Sequence, residues 1–254
     1  MSAVARERAL REILRELQPL VVAYSGGVDS ATLLAVTGRS PSLARGETEA
    51  AAALAAQIGA RHEIIETHEF DDPRYRENGR DRCYHCKDEL FSRLTKLARE
   101  RGFAHVADGF NADDGRSPLD RRPGHQAGLR LGVRSPLAEA GLGKDDLRAI
   151  AQRLGLRVWN KPATPCLSSR VPYGMAIQEG DLRKIDLAER YLRALGYGIV
   201  RVRHFGDTAL IEVPPERIVE LCASRPRIEQ ALGSVGYTQV DIDPRGYRTG
   251  SLNG

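Results

Sequence analysis

The sequence predicts an α/β fold, a parallel doubly wound sheet followed by a smaller α+β module, and three observations carry that expectation. An apolar run, Leu20-Val21-Val22-Ala23-Tyr24, feeds directly into a glycine turn. Short apolar segments then alternate with helical patterns, the signature of parallel strands joined by crossovers. From about Gln178 the order changes to helix, strand, strand, helix, strand. The boundary is placed so that residues 1–163 form the nucleotide-type domain and 164–254 the second region.

Taken in order, residues 1–17 mix Arg and Glu with apolar residues at helical spacing and lack the unbroken apolar stretch of a signal peptide. Strands are expected at 20–24, 33–37, 63–66 and 105–109, with helices at 47–58, 89–101 and 144–154. Trp159, just beyond, is expected to pack in the core or between domains. In the second region a helix is expected at 182–195, strands at 199–205 and 209–213 with a hairpin turn at Gly206-Asp207, a helix at 216–223 and a strand at 239–243. One spacing conflicts with this scheme. Ser30 is followed within three residues by Leu33-Leu34-Ala35-Val36-Thr37, whereas a crossover between parallel strands takes about a dozen residues or more. Either 31–36 is a short helix and the second strand is lost, or the crossover helix is absent.

Ser25-Gly26-Gly27-Val28-Asp29-Ser30 is the glycine turn itself. Adjacent glycines reach backbone angles closed to other residues, so that several N–H groups converge on one anion near the positive end of a helix dipole. Ser25 and Ser30 add hydroxyls, and Asp29 beside a phosphate calls for a bridging Mg²⁺. No lysine stands near, so this is not a Walker loop. Its place at the carboxyl edge of the strands is where such sheets bind ligands.

At 254 residues and a formal charge of +4, the chain has ample core for a protein expected to be cytoplasmic, and no apolar run approaches membrane-spanning length. Of its 38 basic residues only five are lysines. Arginine suits phosphate, but the charges are interleaved with acids rather than concentrated, which favours a phosphorylated small molecule over nucleic acid.

Four cysteines do not make a secreted disulfide framework. The spacing in Cys83-Tyr84-His85-Cys86 places two thiolates on one metal, forms a redox pair, or does neither. Cys166 sits in the proline-bracketed segment Pro162-Ala163-Thr164-Pro165-Cys166-Leu167-Ser168-Ser169-Arg170, where the nearby Arg170 favours a thiolate. Cys222 lies on an apolar helical face and is expected in the core. Two neighbouring cysteines and a distant one supply three ligands to a [4Fe-4S] cluster with one iron open; zinc with three cysteines and His85 is the alternative. In Arg201-Val202-Arg203-His204 the two arginines share one face of a strand. They either clamp a phosphate or form a solvent face paired with surface acids. The loop Asp108-Gly109-Phe110-Asn111-Ala112-Asp113-Asp114 offers Mg²⁺ or substrate ligands, or is an ordinary polar turn.

These features, with Ser40-Pro41-Ser42-Leu43, Arg122-Pro123-Gly124 and Arg134-Ser135-Pro136-Leu137, occur in an order that resembles the LarE family of ATP-dependent sulfur transferases, in the PP-loop ATP pyrophosphatase superfamily. The resemblance runs through nearly the whole chain. It implies an adenine nucleotide alpha hydrolase-like fold in which residues 25–30 hold the pyrophosphate end of ATP. The implied substrate is pyridinium-3,5-biscarboxylic acid mononucleotide, adenylylated at a carboxylate and converted to the thiocarboxylate of the nickel-pincer cofactor. Cys166 is then the sulfur-handling residue. The resemblance also implies a [4Fe-4S] cluster on Cys83, Cys86 and Cys166 that carries an extra sulfide, although sacrifice of the Cys166 sulfur needs that cysteine alone. Glu189 and Glu212 match family acids that hold a metal near the substrate, together with Arg170, Asp108, Asn111 and Asp114 as substrate-site residues, in a homo-oligomer of three or six chains. An ammonia-using ligase of the NAD or GMP synthetase type gives no reason for the cysteines. A tRNA-thiolating enzyme requires an RNA-binding surface that the charge pattern lacks, and a non-catalytic nucleotide-binding protein is the third rival.

Overall fold

The computed structural model describes residues 2–24, 33–114, 122–161 and 164–248. The chain forms two compact units, the first built from Met1–Ser40, Gly46–Tyr75 and Asp81–Lys161, the second from Pro41–Arg45, Arg76–Arg80 and Pro162–Gly254. In the first unit β1 (Leu20–Ala23), β2 (Leu33–Arg39), β3 (Arg61–Glu66) and β4 (His105–Ala107) make one parallel sheet in the order β3-β2-β1-β4. Its helices are α1 (Ala3–Glu16), α2 (Glu47–Gln57), the one-turn α3 (Pro73–Arg76), of which only the first residues belong to this unit, α4 (Arg82–Glu100), α5 (Pro123–Arg130), the one-turn α6 (Pro136–Glu139) and α7 (Lys144–Arg153).

Side chains alternate across the sheet as a two-residue period requires. Leu20, Ala35 and Ala107 pack with Leu17 after α1 and with Ala51, Leu54 and Ala55 of α2. Val21, Leu34, Val36 and Val106 pack on the other face with Phe91, Leu94 and Ala98 of α4. Helices therefore cover both faces, which explains the near-continuous apolar character of β1 and β2.

The strand prevails in the crowded stretch after Ser30. β2 pairs with β1 in parallel, Leu20 opposite Leu33 and Ala23 opposite Val36, and residues 24–32 alone join them. That is fewer than the roughly dozen residues a helical crossover takes. A second boundary also differs from expectation: α4 begins at Arg82, so Cys83 and Cys86 stand within its first two turns. The polar residues of those turns hide the apolar period that betrays the rest of the helix.

The second unit pairs β5 (Arg201–Phe205) antiparallel with β6 (Thr208–Glu212), and β6 parallel with β7 (Gln239–Ile242). The two-residue hairpin at Gly206-Asp207 has Gly206 at φ +67°, a left-handed conformation that glycine adopts without strain. α8 (Glu179–Ala194), α9 (Ile218–Ala223) and α10 (Arg225–Ser234) complete it. Leu192, Val202, Ala209, Ile211, Leu221, Ile228 and Leu232 are among its core residues. Two core expectations are corrected. Cys222 is exposed, because the helix breaks after Ala223 and only Leu221 of α9 is buried. Trp159 is 40% exposed, in the turns that follow α7.

His204 is buried in β5, with Nδ1 3.2 Å from the Tyr237 hydroxyl and Nε2 3.4 Å from Asp181 Oδ1. Burial holds its pKa below the ordinary value, aided by Lys184 and opposed by Asp181. The folded state therefore prefers neutral imidazole. That stability is fully present above the unfolded pKa of about 6.5 and is lost as pH falls through the lowered folded value. Burial lowers His62 in the same direction. Thermal melts at pH 7.5 and 5.5 should show a drop in Tm on acidification, and His204→Gln should reduce that drop without abolishing it.

Candidate active site

Cys166 precedes a single 3-10 turn, Leu167–Arg170, and its backbone is tied down. Leu167 N donates to Ser42 O at 2.8 Å, and Ser169 N donates to Cys166 O at 3.0 Å. Nη1 of Arg170 reaches Pro165 O at 2.7 Å, Cys166 O at 3.2 Å and Ser169 Oγ at 3.1 Å. Further along, Asn78 Nδ2 donates to the carbonyls of Val171, Pro172 and Met175. The thiol itself remains half-buried and free of any disulfide. The donors of Arg170 go to backbone carbonyls, to Ser169 Oγ and to Glu189. It shapes the loop that presents Cys166.

Glu189, fully buried on α8, is the centre of the charge cluster. It accepts Arg170 Nε at 2.8 Å and Nη2 at 3.0 Å, Arg193 Nη2 at 2.6 Å and Val202 N at 3.2 Å. On β5, Arg203 donates Nε to Glu212 Oε1 at 3.0 Å and Nη1 to Ser169 O at 2.8 Å. Arg201 lies opposite Glu212 in strand register. Its Nη2 donates to the Tyr247 hydroxyl at 3.0 Å, and its guanidinium carbon stands 4.7 Å from the centre of the Tyr247 ring. Arg201 and Arg203 are only 7% and 2% exposed. The solvent-face alternative for these arginines is thereby excluded, and the expected pairing of their face holds only in part, since the two have different partners. Burial, with the charges of Arg170 and Arg203, pulls the Arg201 guanidinium below its ordinary pKa. Glu189 and Glu212, matched to metal-holding acids, act here as counter-charges for arginine.

In the first unit Cys83 and Cys86 are half-buried, in no disulfide, and three residues apart on one face of α4. Nη2 of the buried Arg82 lies 3.9 Å from Cys83 Sγ. His85 turns instead to carboxylates, Nε2 3.2 Å from Asp81 and Nδ1 3.7 Å from Asp72, which removes support for the zinc alternative. The acidic loop is largely occupied with its own folding. Asp108 accepts Phe110 N and Ser135 Oγ, Asn111 donates to Asp114, Asp113 accepts Lys144 N at the start of α7, and Asp114 pairs with Arg122 and Lys144. Among the described residues no group of three or more His, Cys, Asp or Glu side chains is gathered to hold a metal ion. Ser25, Gly26, Gly27, Val28, Asp29 and Ser30 lie outside the described residues, as do Pro162 and Ala163.

Two members of the charge cluster escaped the sequence reading. Arg193 follows Glu189 by one helical turn, a spacing that signals an ion pair. Tyr247 carries no such signal, since it lies beyond the last strand and meets Arg201 through folding alone.

No family model matches the chain. It is 44% identical over 258 residues to an uncharacterised protein of Synechocystis, covering 96% of this chain and 95% of that one. It is 36% identical over 267 residues to the pyridinium-3,5-bisthiocarboxylic acid mononucleotide synthase of Lactiplantibacillus plantarum, covering 100% of this chain and 96% of the enzyme. An uncharacterised protein of Methanocaldococcus jannaschii is 28% identical over 240 residues, 91% of each chain. No helix among the described residues is long and apolar enough to cross a membrane.

Removing one partner of a buried ion pair leaves the other charge desolvated and costs about 3–5 kcal/mol. Arg170→Ala should therefore lower unfolding stability by about 3 kcal/mol in urea titrations, the lower end because Arg193 still serves Glu189. Arg170→Lys should recover little, because an ammonium cannot reproduce the bidentate fork.

Proposed function

The chain belongs to the LarE family of ATP-dependent sulfur transferases, and on that premise we propose that it adenylylates the carboxylates of pyridinium-3,5-biscarboxylic acid mononucleotide and converts them to thiocarboxylates. The observation that carries the substrate assignment is the charge balance around Arg201. Among the described residues the buried guanidinium groups of Arg170, Arg201 and Arg203 accompany two buried carboxylates, Glu189 and Glu212, and the partly exposed Arg193 also pairs with Glu189. Among the described residues Arg201 has no carboxylate in ion-pair contact, although it is 7% exposed. A buried excess of positive charge is costly unless an anion joins it. A mononucleotide brings its phosphate, which the planar fork of arginine fits.

In this reading residues 1–163 handle ATP and 164–254 receive the substrate. The glycine loop grips the β and γ phosphates of ATP, where Asp29 would hold a Mg²⁺ that offsets their charge, while a substrate carboxylate oxygen attacks the α phosphorus. The bond to pyrophosphate breaks, and the carboxylate becomes an acyl adenylate. Sulfur then displaces AMP. Arg203 and Arg170 keep the Cys166 loop in place through the carbonyls of Ser169, Pro165 and Cys166. Cys83, Cys86 and Cys166, none of them in a disulfide, are the ligand type that a [4Fe-4S] cluster takes; they would hold it, and it would supply an iron for the transferred sulfur. The protein acts in the cytoplasm as a homo-oligomer. The half-buried Cys166 thiol supports a second route, in which its own sulfur is given up.

ATP–pyrophosphate exchange tests the central step: it should depend on the dicarboxylate mononucleotide, and exchange driven instead by an ammonia acceptor or by tRNA would overturn the proposal. Arg201→Ala with Arg203→Ala should raise the KM for the mononucleotide about tenfold or more, as loss of charge-assisted hydrogen bonds worth 1.5–3 kcal/mol each implies, while leaving the KM for ATP unchanged. Intact-mass analysis after turnover separates the two sulfur routes. An unchanged Cys166 supports the cluster, whereas loss of the mass of H₂S assigns the sulfur to that cysteine.

A further inference from the structure

We propose that Tyr247 is the positioning residue for Arg201, holding its guanidinium by ring stacking and by the hydroxyl so that the cation is oriented for the substrate phosphate without being neutralised. The inference rests on the phosphate reading of Arg201. The other arginines of the cluster are held by carboxylates, Arg170 and Arg193 by Glu189 and Arg203 by Glu212. A carboxylate fixes a guanidinium but also cancels its charge. Tyrosine fixes it with a neutral group: the hydroxyl accepts Nη2 at 3.0 Å and the ring lies 4.7 Å from the guanidinium carbon. Stacking on an aromatic face orients arginine through the ring quadrupole. A side chain with that many torsions otherwise loses more conformational freedom when it takes up a ligand.

The turn that delivers Tyr247 is built for the purpose. Asp243 N donates to Ile211 O, the Asp243 carboxylate accepts Arg245 N at 2.8 Å, and Tyr247 N donates to Val213 O at 2.8 Å. Gly246 sits at φ +68°, and a Cβ there would stand 2.8 Å from Val213 O. Only glycine brings the chain this close to the end of β6, beside the residue that faces Arg201 across the strand pair.

The test measures binding of nicotinate mononucleotide and of nicotinate riboside, its phosphate-free nucleoside, to the full chain by titration calorimetry. The ratio of the two affinities reports the phosphate contact, a readout that a merely structural role does not move. Tyr247→Leu should cut this ratio about tenfold and Tyr247→Phe about threefold, since the second keeps the ring and loses one hydrogen bond. Nucleoside affinity should stay at the wild-type level in both. Wild-type ratios in both variants, with the ratio collapsed in Arg201→Ala, would overturn the role of Tyr247 alone. A ratio unchanged in Arg201→Ala would overturn the phosphate reading together with it. Should Tyr247→Leu fail to fold, Tyr247→Phe decides: an unchanged ratio refutes the inference.

Discussion

A single buried carboxylate, Glu189, ties together the parts of the second unit that chemistry would use. Its two oxygens accept from the loop residue Arg170, from Arg193 one turn further along α8, and from the backbone N–H of Val202 on β5. A carboxylate without water persists only when its lone pairs are filled, so each of these donors is held as firmly as the carboxylate itself. Loop, helix and strand thereby share one fixed point. Arg170 passes the constraint on to the carbonyls of Pro165 and Cys166, and Arg203 adds the carbonyl of Ser169. The backbone around Cys166 is fixed while its thiol stays accessible.

The same lattice explains why arginines on adjacent positions of one strand face do unequal work. Arg203 is compensated by Glu212 and braces the cysteine loop, whereas Arg201 is stacked on the Tyr247 ring and, among the described residues, has no carboxylate in ion-pair contact. Removing the solvent from several like charges raises the cost of each, and an incoming phosphate offsets that cost at the member lacking an acid. In the proposed reading, affinity for a phosphorylated substrate comes from an imbalance that the surrounding ion pairs maintain.

Much of the architecture was legible in residue patterns. The parallel strands, the α2 and α7 helices and the hairpin at Gly206-Asp207 followed from period and turn chemistry, because these are local properties of the backbone. The beginning of α4 was not, since a polar first turn carries no apolar period, and neither was the exposure of Cys222, which depends on where α9 breaks. At the site, the alternation in Arg201-Val202-Arg203 placed both arginines on one face correctly but was silent on whether that face met water. The loop from Asp108 to Asp114 looked like a ligand shell, yet its carboxylates are largely spent on backbone N–H groups, Arg122 and Lys144.

The sequence by itself determined the class of fold, the family and the residue types brought to the reaction, because strand period, glycine turns and the order of motifs are written along the chain. Only the tertiary structure decided which carboxylate compensates which arginine, that Arg170 braces the cysteine loop through backbone carbonyls, and that Tyr247 stands over Arg201. Those assignments join residues far apart in sequence, and burial sets their energies. Solvent exclusion is a property of the packed chain that no local stretch of residues encodes.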